Sequence, residues 1–451
     1  MDNARPDPVM TDAIRDDYLP KDDYVSREFA ALEAEYLWPA VWQIACRVEE
    51  LPRPGSFIVY DIGKDSVVVL RGNDGELRAF FNACPHRGRR LLSESGQLKQ
   101  IQCRFHGWKW NLDGCNIHVL DRDDWAGCLS TEEIALNRVH VDHWGGFVFI
   151  NMAENPEPLE QFLAPAADLL KTFEFEKMRF RWYKTVRLNC NWKTNLEAFI
   201  EGYHVAQTHP QLLDYFDDYT RSKEYGLHGA FWYPAYPPIQ QSPRLEREAP
   251  ADYRSLVLEY VEEFDKNLMA MVTPRSYAAA QRLRTELPET ASPEEVLTKW
   301  AEWTREAAEE EGAGWPPVTP DELEKSHADW HFFPNTAFLH GNIDGLLWYR
   351  TRPDGDDPNH CLFDVWSLVR YAPGDEPPLQ REFYENWRDY DGWGRILKQD
   401  FMNLEDVQRG MNVRSFKASR TNPVQERVVV NFHRNLHAHI ARERAKAEGR
   451  T

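Results

Sequence analysis

Two short stretches of the sequence each place a cysteine close to a histidine, and together they supply four ligands for a metal centre. The first begins at Cys84 and reads Cys-Pro-His-Arg-Gly; the second begins at Cys103 and reads Cys-Arg-Phe-His-Gly-Trp. Two thiolates on one iron and two neutral imidazoles on the other form a [2Fe–2S] cluster of raised reduction potential, which accepts single electrons readily. We therefore predict that Cys84, His86, Cys103 and His106 bind a [2Fe–2S] cluster.

A zinc site is the alternative use of these four ligands. Structural zinc sites usually pair like ligands at each end, whereas here each stretch mixes one cysteine with one histidine. Gly88 and Gly107 permit tight turns, and such turns point backbone N–H groups toward the cluster sulfides. The iron–sulfur cluster is therefore a better prediction than zinc or a chance grouping of core residues.

A second group of candidate ligands lies further along the chain, between Asn191 and Pro210. His204 and His209 are spaced more widely than the i, i+4 pairs of one helical face, so we predict a helix through His204 that ends or loosens before His209. Two histidines and one carboxylate on one face of Fe(II) leave three positions open for water, O2 and substrate. A pair of surface or capping histidines is the alternative, but an electron-carrying cluster upstream needs a destination and favours the iron site.

The cysteine and histidine motifs resemble those of the Rieske non-haem iron oxygenases, in particular the oxygenase (alpha) subunit of the aromatic ring-hydroxylating dioxygenase family. The likeness runs from roughly Tyr24 to Gly410. It implies that a partner reductase or ferredoxin delivers electrons from NAD(P)H, and the chain has no glycine-rich nucleotide motif of its own. The [2Fe–2S] cluster would pass these electrons to a mononuclear Fe(II), which activates O2 to hydroxylate or dihydroxylate a substrate.

The resemblance also implies an acidic third iron ligand on a late helix. Asp400 occupies the matching place, in a run where the family usually has acid-Gln-Asp or Glu-Asp, and Lys398 departs from that pattern. Glu405 and Asp406 are alternatives, and all three could instead be solvated helix charges. We predict that Asp400 is the ligand.

Glu201 stands where most of the family has an aspartate. The resemblance implies that this acid links the mononuclear site, through His204, to a cluster histidine of a neighbouring subunit, here His106. Oxygenases that act on quaternary ammonium compounds such as carnitine also have Glu at this position, but they usually carry Glu-Cys-Tyr-His where this chain has Glu-Gly-Tyr-His. An exposed helical carboxylate is the alternative for Glu201.

The substrate expected first is apolar, aromatic or alicyclic, as in aromatic hydrocarbon catabolism, because 13 % of the residues are aromatic and suit an apolar pocket. The alternative is a monooxygenase or N-demethylase that holds a quaternary ammonium or other amine in an aromatic cage. A third interpretation is an electron carrier without a second iron. Candidate pocket residues lie near the predicted strands and the metal helix, although core packing also accounts for each: Phe199, Trp232, Phe338, His340, Leu347, Trp348 and Trp366.

Runs of strand and helix signals predict an α+β chain with a small β-rich Rieske domain and a larger catalytic domain whose antiparallel sheet is flanked by helices. We place an N-terminal arm and helix at residues 1–40, the Rieske domain at 41–155 and the catalytic domain at 156–451. Pro156 and Pro158 mark the linker between the two domains.

The composition narrows the possible partners and the cellular compartment. Fifty-three basic residues against 73 acidic ones give a net charge of −20, which argues against nucleic acid and anionic membranes as partners. No stretch approaches the roughly 20 apolar residues of a membrane helix, and the N-terminus has no signal-peptide pattern. Apart from Cys84 and Cys103, the five other cysteines are scattered and suggest reduced thiols, so we expect a cytoplasmic protein. The resemblance implies a homotrimer, with or without a small beta subunit.

Overall fold

The chain forms two compact units. The computed structural model describes residues 14–450 except 328, and at 340–342 it describes the backbone but not the side chains. One unit contains residues 14–31 and Leu163–Ala445, and the other contains Leu32–Phe162 and residues 446–450. Mixed helices and strands in the larger unit and a β-rich smaller unit confirm the predicted α+β class. Residues 1–13 of the predicted arm lie outside the described residues.

The first described elements precede the smaller unit. Ser26 accepts a hydrogen bond at its hydroxyl from the backbone N–H of Phe29, as expected of the residue that starts a helix. The regular elements of this segment, numbered here in chain order, are β1 (Leu19–Pro20), α1 (Asp22–Val25) and α2 (Arg27–Leu32).

The smaller unit is built from two antiparallel sheets. The larger of them has the strand order β2-β11-β10-β5-β4-β3-β6, and the smaller has the order β7-β8-β9. The sequence Asn73-Asp-Gly is a hairpin signal, and it joins β4 to β5, where Arg71 pairs with Leu77. The strands are β2 (Gln43–Arg47), β3 (Ser56–Ile62), β4 (Asp65–Arg71), β5 (Leu77–Phe81), β6 (Gly96–Gln97), β7 (Ile101–Gln102), β8 (Lys109–Trp110), β9 (Asn116–His118), β10 (Arg138–Trp144) and β11 (Phe147–Asn151).

The larger unit is organised around an eight-stranded sheet with the order β13-β14-β15-β16-β17-β18-β12-β19. All neighbouring strands are antiparallel except β12 and β19, which run parallel. Its strands are β12 (Met178–Leu188), β13 (Arg221–Tyr225), β14 (His228–Trp232), β15 (Asp329–Phe332), β16 (Thr336–Asn342), β17 (Gly345–Pro353), β18 (Cys361–Arg370) and β19 (Arg381–Tyr384); β20 (Ala418–Ser419) pairs separately with β1.

Helices of this unit carry the predicted iron ligands and part of the cavity wall. They are α3 (Leu159–Leu163), which crosses the unit boundary, α4 (Ala166–Leu170), α5 (Trp192–Glu197), α6 (Val205–Thr208), α7 (Tyr253–Asn267), α8 (Pro274–Glu286), α9 (Pro293–Glu310), α10 (Pro320–Ser326), α11 (Gly394–Met411) and α12 (Arg427–Ala447). None of the described helices is long and apolar enough to cross a membrane.

The predicted helix through His204 is wrong. Helix α5 ends at Glu197, an irregular turn follows, and the short helix α6 occupies the interval between His204 and His209. The two histidines therefore flank a single helical turn, with His204 at its N-terminal end and His209 at its C-terminal end. The helix is therefore interrupted before His204 and not between His204 and His209.

Candidate iron sites

Two matched turns hold the four cluster residues in the smaller unit. The backbone N–H of Gly88 donates to the carbonyl of Cys84 at 2.8 Å, and the N–H of Gly107 donates to the carbonyl of Cys103 at 3.0 Å. Both glycines have positive φ, +70° and +73°, a conformation that other residues adopt only with strain. The spacing of glycine after cysteine thus follows from the turn that each loop must make.

The donor atoms within these turns fit an iron–sulfur cluster. Cys84 and Cys103 are buried, and the rings of His86 and His106 lie with their centroids 4.6 Å apart. Burial and the adjacent Cys103 thiol raise the pKa of Cys84, whereas burial and the nearby His106 lower the pKa of His86. The buried Nδ1 atom of His106 has no hydrogen-bond partner among the described residues, as expected of a nitrogen that ligates metal.

Three side chains from two elements meet at the second site. Nε2 of His209 lies 2.9 Å from Oδ1 of Asp400, and Nε2 of His204 lies 3.8 Å from the same oxygen. Asp400 projects from the buried face of α11, while the two histidines bracket α6. Two imidazole nitrogens and one carboxylate oxygen thus converge as the facial arrangement for Fe(II) requires.

Both histidines are oriented by an acceptor at the opposite ring nitrogen. Oε1 of Glu201 lies 2.6 Å from Nδ1 of His204, and Oε1 of Gln399 lies 3.0 Å from Nδ1 of His209. A proton held at each Nδ1 makes Nε2, which faces Asp400, the nitrogen that would ligate a metal. Gln399 was not singled out by the sequence analysis, although it immediately precedes the predicted carboxylate ligand.

Glu201 is buried against its own turn rather than exposed on a helix. Its second carboxylate oxygen accepts hydrogen bonds from the backbone N–H groups of Tyr203 and His204. The side chain therefore closes the turn that leads into His204. Burial lowers the pKa of His204, but the adjacent Glu201 and Asp400 carboxylates outweigh that effect and raise it to about 9.

The other candidate carboxylates on α11 are engaged elsewhere. Glu405 is buried but pairs with Arg388 at 2.8 Å and accepts a hydrogen bond from Asn189 at 3.0 Å. Asp406 is exposed and pairs with Arg409 at 2.9 Å. Asp400 is therefore the acid of this helix that lies beside the two histidines.

An apolar cavity of about 160 Å³ opens beside the iron ligands. Glu201, His204, His209 and Asp400 form one part of its wall, and aromatic and aliphatic side chains form most of the rest. The aromatic lining residues are Phe199, Phe216, Phe231, Tyr233, Tyr260, Phe264 and Tyr349.

Most of the predicted pocket residues do not line this cavity. Phe199 does, but Phe338, Trp348 and Trp366 pair across strands β16, β17 and β18 and are fully buried in a core that includes Phe175. Strand alternation explains the error, because Leu339 and Tyr349, the next residues along, face the cavity. Trp232 stacks on His327, Leu347 is buried without lining the cavity, and the side chain of His340 lies outside the described residues.

A second, larger and more polar cavity adjoins the same ligands. It measures about 500 Å³ and shares Glu201, His204 and Asp400 with the apolar cavity. Glu197 and Glu426 add further carboxylates to its wall. Burial and the neighbouring Glu201 raise the pKa of Glu426 to about 7. The ligand site is thus bordered by an apolar space and by an acidic, polar one.

Comparison with known families and structures agrees with this arrangement. Residues 175–442, more than half of the chain, match the ring-hydroxylating alpha subunit (catalytic domain) family, and residues 41–124 match the Rieske [2Fe–2S] domain family. The solved quaternary ammonium Rieske monooxygenase in complex with L-carnitine has a TM-score of 0.63 at 19 % identity, covering 94 % of this chain and 95 % of that one. Naphthalene 1,2-dioxygenase from Rhodococcus has a TM-score of 0.61 at 18 % identity, covering 94 % of each chain.

Sequence relatives are more similar over shorter stretches. The glycine betaine monooxygenase oxygenase subunit of Pseudomonas aeruginosa is 33 % identical over 196 residues, which are 43 % of this chain and 45 % of that protein. The carnitine monooxygenase oxygenase subunit of Escherichia coli is 32 % identical over 199 residues, 44 % of this chain and 53 % of that protein. The chain therefore spans about half the length of the curated relatives it matches. With family matches on both units, this chain belongs to the ring-hydroxylating oxygenase alpha subunits and carries a Rieske [2Fe–2S] domain ahead of its catalytic domain.

Proposed function

We propose that the chain is the terminal oxygenase component of a Rieske monooxygenase that acts on a small quaternary ammonium or other amine substrate. The observation that carries this proposal is the aromatic cavity beside the iron ligands, which has the carboxylate of Asp329 in its wall. Aromatic faces and a carboxylate attract a cation in a site sheltered from water. The reaction consumes a C–H bond, O2, two electrons and two protons, and it yields a hydroxylated carbon and water.

The cofactors are a [2Fe–2S] cluster in the smaller unit and one iron in the larger unit. Cys84, His86, Cys103 and His106 would hold the cluster, and their turns and buried donor atoms fit it. Iron(II) bound by His204, His209 and Asp400 would supply O2 activation next to the substrate.

The chain's own side chains prepare this site. Glu201 and Gln399 hold the protons at Nδ1 of the two histidines, which keeps each Nε2 available. Phe199 and Tyr349 pack with ring centroids 4.4 Å apart along the cavity wall and exclude water from the reacting carbon.

The size of the cavity favours a small substrate. Its volume of about 160 Å³ is close to the roughly 150 Å³ of an engineered protein cavity that accommodates benzene. A trimethylammonium compound is of this size, whereas a fused polycyclic arene is larger. Relatives that act on glycine betaine and carnitine support the amine over the apolar aromatic substrate expected first.

Electrons would reach the cluster from NAD(P)H through a separate reductase or ferredoxin. We further propose a cytoplasmic homotrimer in which Glu201 links the iron site to a cluster histidine, equivalent to His106, of a neighbouring copy. The absence of disulfides among the seven cysteines supports the compartment, and the position of Glu201 between the polar and the apolar cavity supports the link.

Turnover with a surrogate reductase tests the proposal. The holoenzyme should convert trimethylammonium compounds to the corresponding dimethylamines and release formaldehyde from the hydroxylated methyl group. Three irons per chain are expected, whereas two would indicate an electron carrier. Hydroxylation of small arenes with no reaction of any amine would overturn the amine assignment.

A further inference from the structure

We propose that the larger unit has a second small-molecule site, a cavity that binds the oxyanion of a small carboxylate or phosphate. The cavity measures about 350 Å³ and shares no described lining residue with the two cavities beside the iron ligands. The proposal is therefore independent of the proposed function. The basic, aromatic and acidic residues that line this cavity are Lys177, Arg179, Trp315, Arg370, Tyr371 and Glu376.

Two neighbouring strands bring three basic side chains to the cavity. Arg370 is the last residue of β18, Arg179 is the second residue of β12, and Lys177 immediately precedes β12. The two strands are antiparallel, with Met178 opposite Arg370 and Arg179 opposite Val369, so the start of one strand meets the end of the other. The strand pairing thus concentrates positive charge at one end of the sheet, in a chain whose net charge is −20.

The carboxylates at the cavity are fewer than these cations. Oε1 of Glu174 lies 2.7 Å from Nζ of Lys177, and Oε2 of the same carboxylate pairs with Arg370, so one acid serves two cations. Glu376 is the only acid among the described lining residues, and its Oε2 accepts a hydrogen bond from the backbone N–H of Gly374 at 2.8 Å. Three cations and two carboxylates leave one positive charge, which a bound anion would neutralise.

The guanidinium group of Arg370 has an unused hydrogen-bond donor. Its Nε donates to the backbone carbonyl of Ala313 at 3.2 Å, and its Nη2 pairs with Glu174. Its Nη1 is buried and has no hydrogen-bond partner among the described residues, although the side chain is only 2 % exposed. A buried donor without an acceptor is costly, and guanidinium groups bind carboxylate and phosphate oxygens strongly. Arg370 is therefore the residue we expect to contact the anion.

The turn after α9 positions both a ligand of Arg370 and an aromatic wall. The backbone N–H of Ala313 donates to the carbonyl of Ala308 at 2.9 Å, which ends the helix and leaves the carbonyl of Ala313 beside Nε of Arg370. Trp315 follows this turn, and Tyr371 follows Arg370 directly; both are partly buried. The two aromatic residues can cover the apolar part of a ligand whose oxyanion is held by the arginines.

Calorimetric titration of the holoenzyme with benzoate and with inorganic phosphate tests the site. At least one of the two should bind as a single anion per chain; tighter binding of benzoate would identify a carboxylate as the source, and tighter binding of phosphate a phosphate. Arg179→Gln should weaken this binding roughly tenfold or more, and Arg370→Gln should abolish it. Arg305→Gln is the control, because Arg305 is an exposed arginine on α9, 3.9 Å from Glu309, and its loss should leave binding unchanged.

The same titration of Asp400→Ala separates this site from the mononuclear iron. Carboxylates and phosphate can also ligate iron, so an anion that binds the wild type but not Asp400→Ala would overturn the proposal. Equal weakening by Arg179→Gln and Arg305→Gln would overturn it as well, since only net charge would then matter. If Arg370→Gln does not fold, Arg179→Gln still decides, because Nη1 of Arg179 donates to backbone carbonyl groups and not to a buried acid. If neither anion binds, the site is refuted whatever the activity on amines.

Discussion

His204 and His209 each use one ring nitrogen for orientation and keep the other for a metal. The two acceptors differ, because Glu201 is charged and Gln399 is neutral. A carboxylate at Nδ1 increases the basicity of the imidazole more than an amide does, so the two histidines are unequal ligands. Sequence spacing predicts the pair of histidines, but it cannot show which acceptor each one contacts.

Removing Asp400 should remove one iron and leave the other two. Asp400→Ala takes away the carboxylate that both Nε2 atoms face, so the mononuclear site loses its only anionic ligand. We expect iron to fall from three to two per chain, with the Rieske EPR signal unchanged and product formation lost. Asp406→Ala is the matched control on the same helix, since Asp406 is exposed. Three irons per chain in Asp400→Ala would contradict the assignment.

Replacing Glu201 by glutamine separates orientation from charge. The glutamine carbonyl can still accept the Nδ1–H of His204, so both iron centres should remain, while the NH2 group loses the hydrogen bonds that the second oxygen accepts from the N–H groups of Tyr203 and His204. Loss of the negative charge should lower product formation at least tenfold if Glu201 links the sites of neighbouring copies. Metal analysis and turnover with a surrogate reductase measure the two effects. Full activity of Glu201→Gln would refute the linking role.

At the scale of elements, the regular strands and helices were predictable and the site-forming turn was not. The sequence predicts a strand over Leu77–Phe81 and a helix around Trp393–Gly410, and the structure has β5 at Leu77–Phe81 and α11 at Gly394–Met411. The turn between α5 and α6 is closed by the carboxylate of Glu201, which accepts hydrogen bonds from the backbone N–H groups of Tyr203 and His204, and such side-chain contacts leave no periodic pattern in the sequence. The prediction of the pocket residues was wrong for a related reason. Alternation identifies the two faces of a strand but not which face borders a cavity.

Gly202 shows how closely that turn is packed. A Cβ atom at this position would lie 2.6 Å from a methyl carbon of Thr220 and 3.1 Å from the hydroxyl of Tyr233. Thr220 is fully buried and cannot move aside easily. The crowding explains why a residue without a side chain occupies this position.

Gly202→Ala should therefore destabilise the fold by about 1–3 kcal/mol and lower the occupancy of the mononuclear iron, because Glu201 and His204 flank it. Thermal unfolding and iron content, scored against the Rieske EPR signal, measure both effects. Gly410→Ala is the control: nothing lies within 4 Å of its new Cβ, and it should stabilise α11 by about 0.5–1 kcal/mol. An unchanged melting temperature and iron content in Gly202→Ala would show that the turn can absorb a methyl group.

At the scale of the whole chain, a buried ionic network joins the start of the described sequence to its last helix within the larger unit. Oδ2 of Asp23 on α1 lies 2.8 Å from Nδ1 of His433 and 2.7 Å from Nε2 of His437, both on α12. Glu197, at the end of α5, lies 2.7 Å from Nε2 of His433, and Tyr24 donates to the same carboxylate. These residues are too distant in sequence for their contact to be predicted from it. The network connects α1 and α12 to the end of α5, the helix that precedes the iron ligands.

This network should give the fold a pH dependence of defined sign. Burial lowers the pKa of His433, but hydrogen bonds to Asp23 and Glu197 outweigh it and raise the pKa to about 9. Burial raises the pKa of Asp23, but hydrogen bonds from His433 and His437 outweigh it and lower the pKa to about 2. The histidine contribution is complete below its ordinary value of 6.5 and is lost as pH rises through 9, and the aspartate contribution is complete above 3.8 and is lost as pH falls through 2.

His433→Gln should therefore destabilise the larger unit most between about pH 4 and 6.5, by roughly 1–3 kcal/mol, because the buried Asp23 and the partly buried Glu197 lose the cation between them and keep only their contacts to His437 and Tyr24. The difference from wild type should shrink above pH 9, where His433 is neutral in both the folded and the unfolded state. Urea unfolding across this pH range measures the difference in the free energy of unfolding. His360→Gln is the control, since His360 is half-exposed and lies 3.8 Å from Asp357. A pH-independent loss would contradict the ionic origin of the effect. A metal ion beyond the three irons that disappears in His433→Gln would instead show that Asp23, His433 and His437 bind a cation other than the proton.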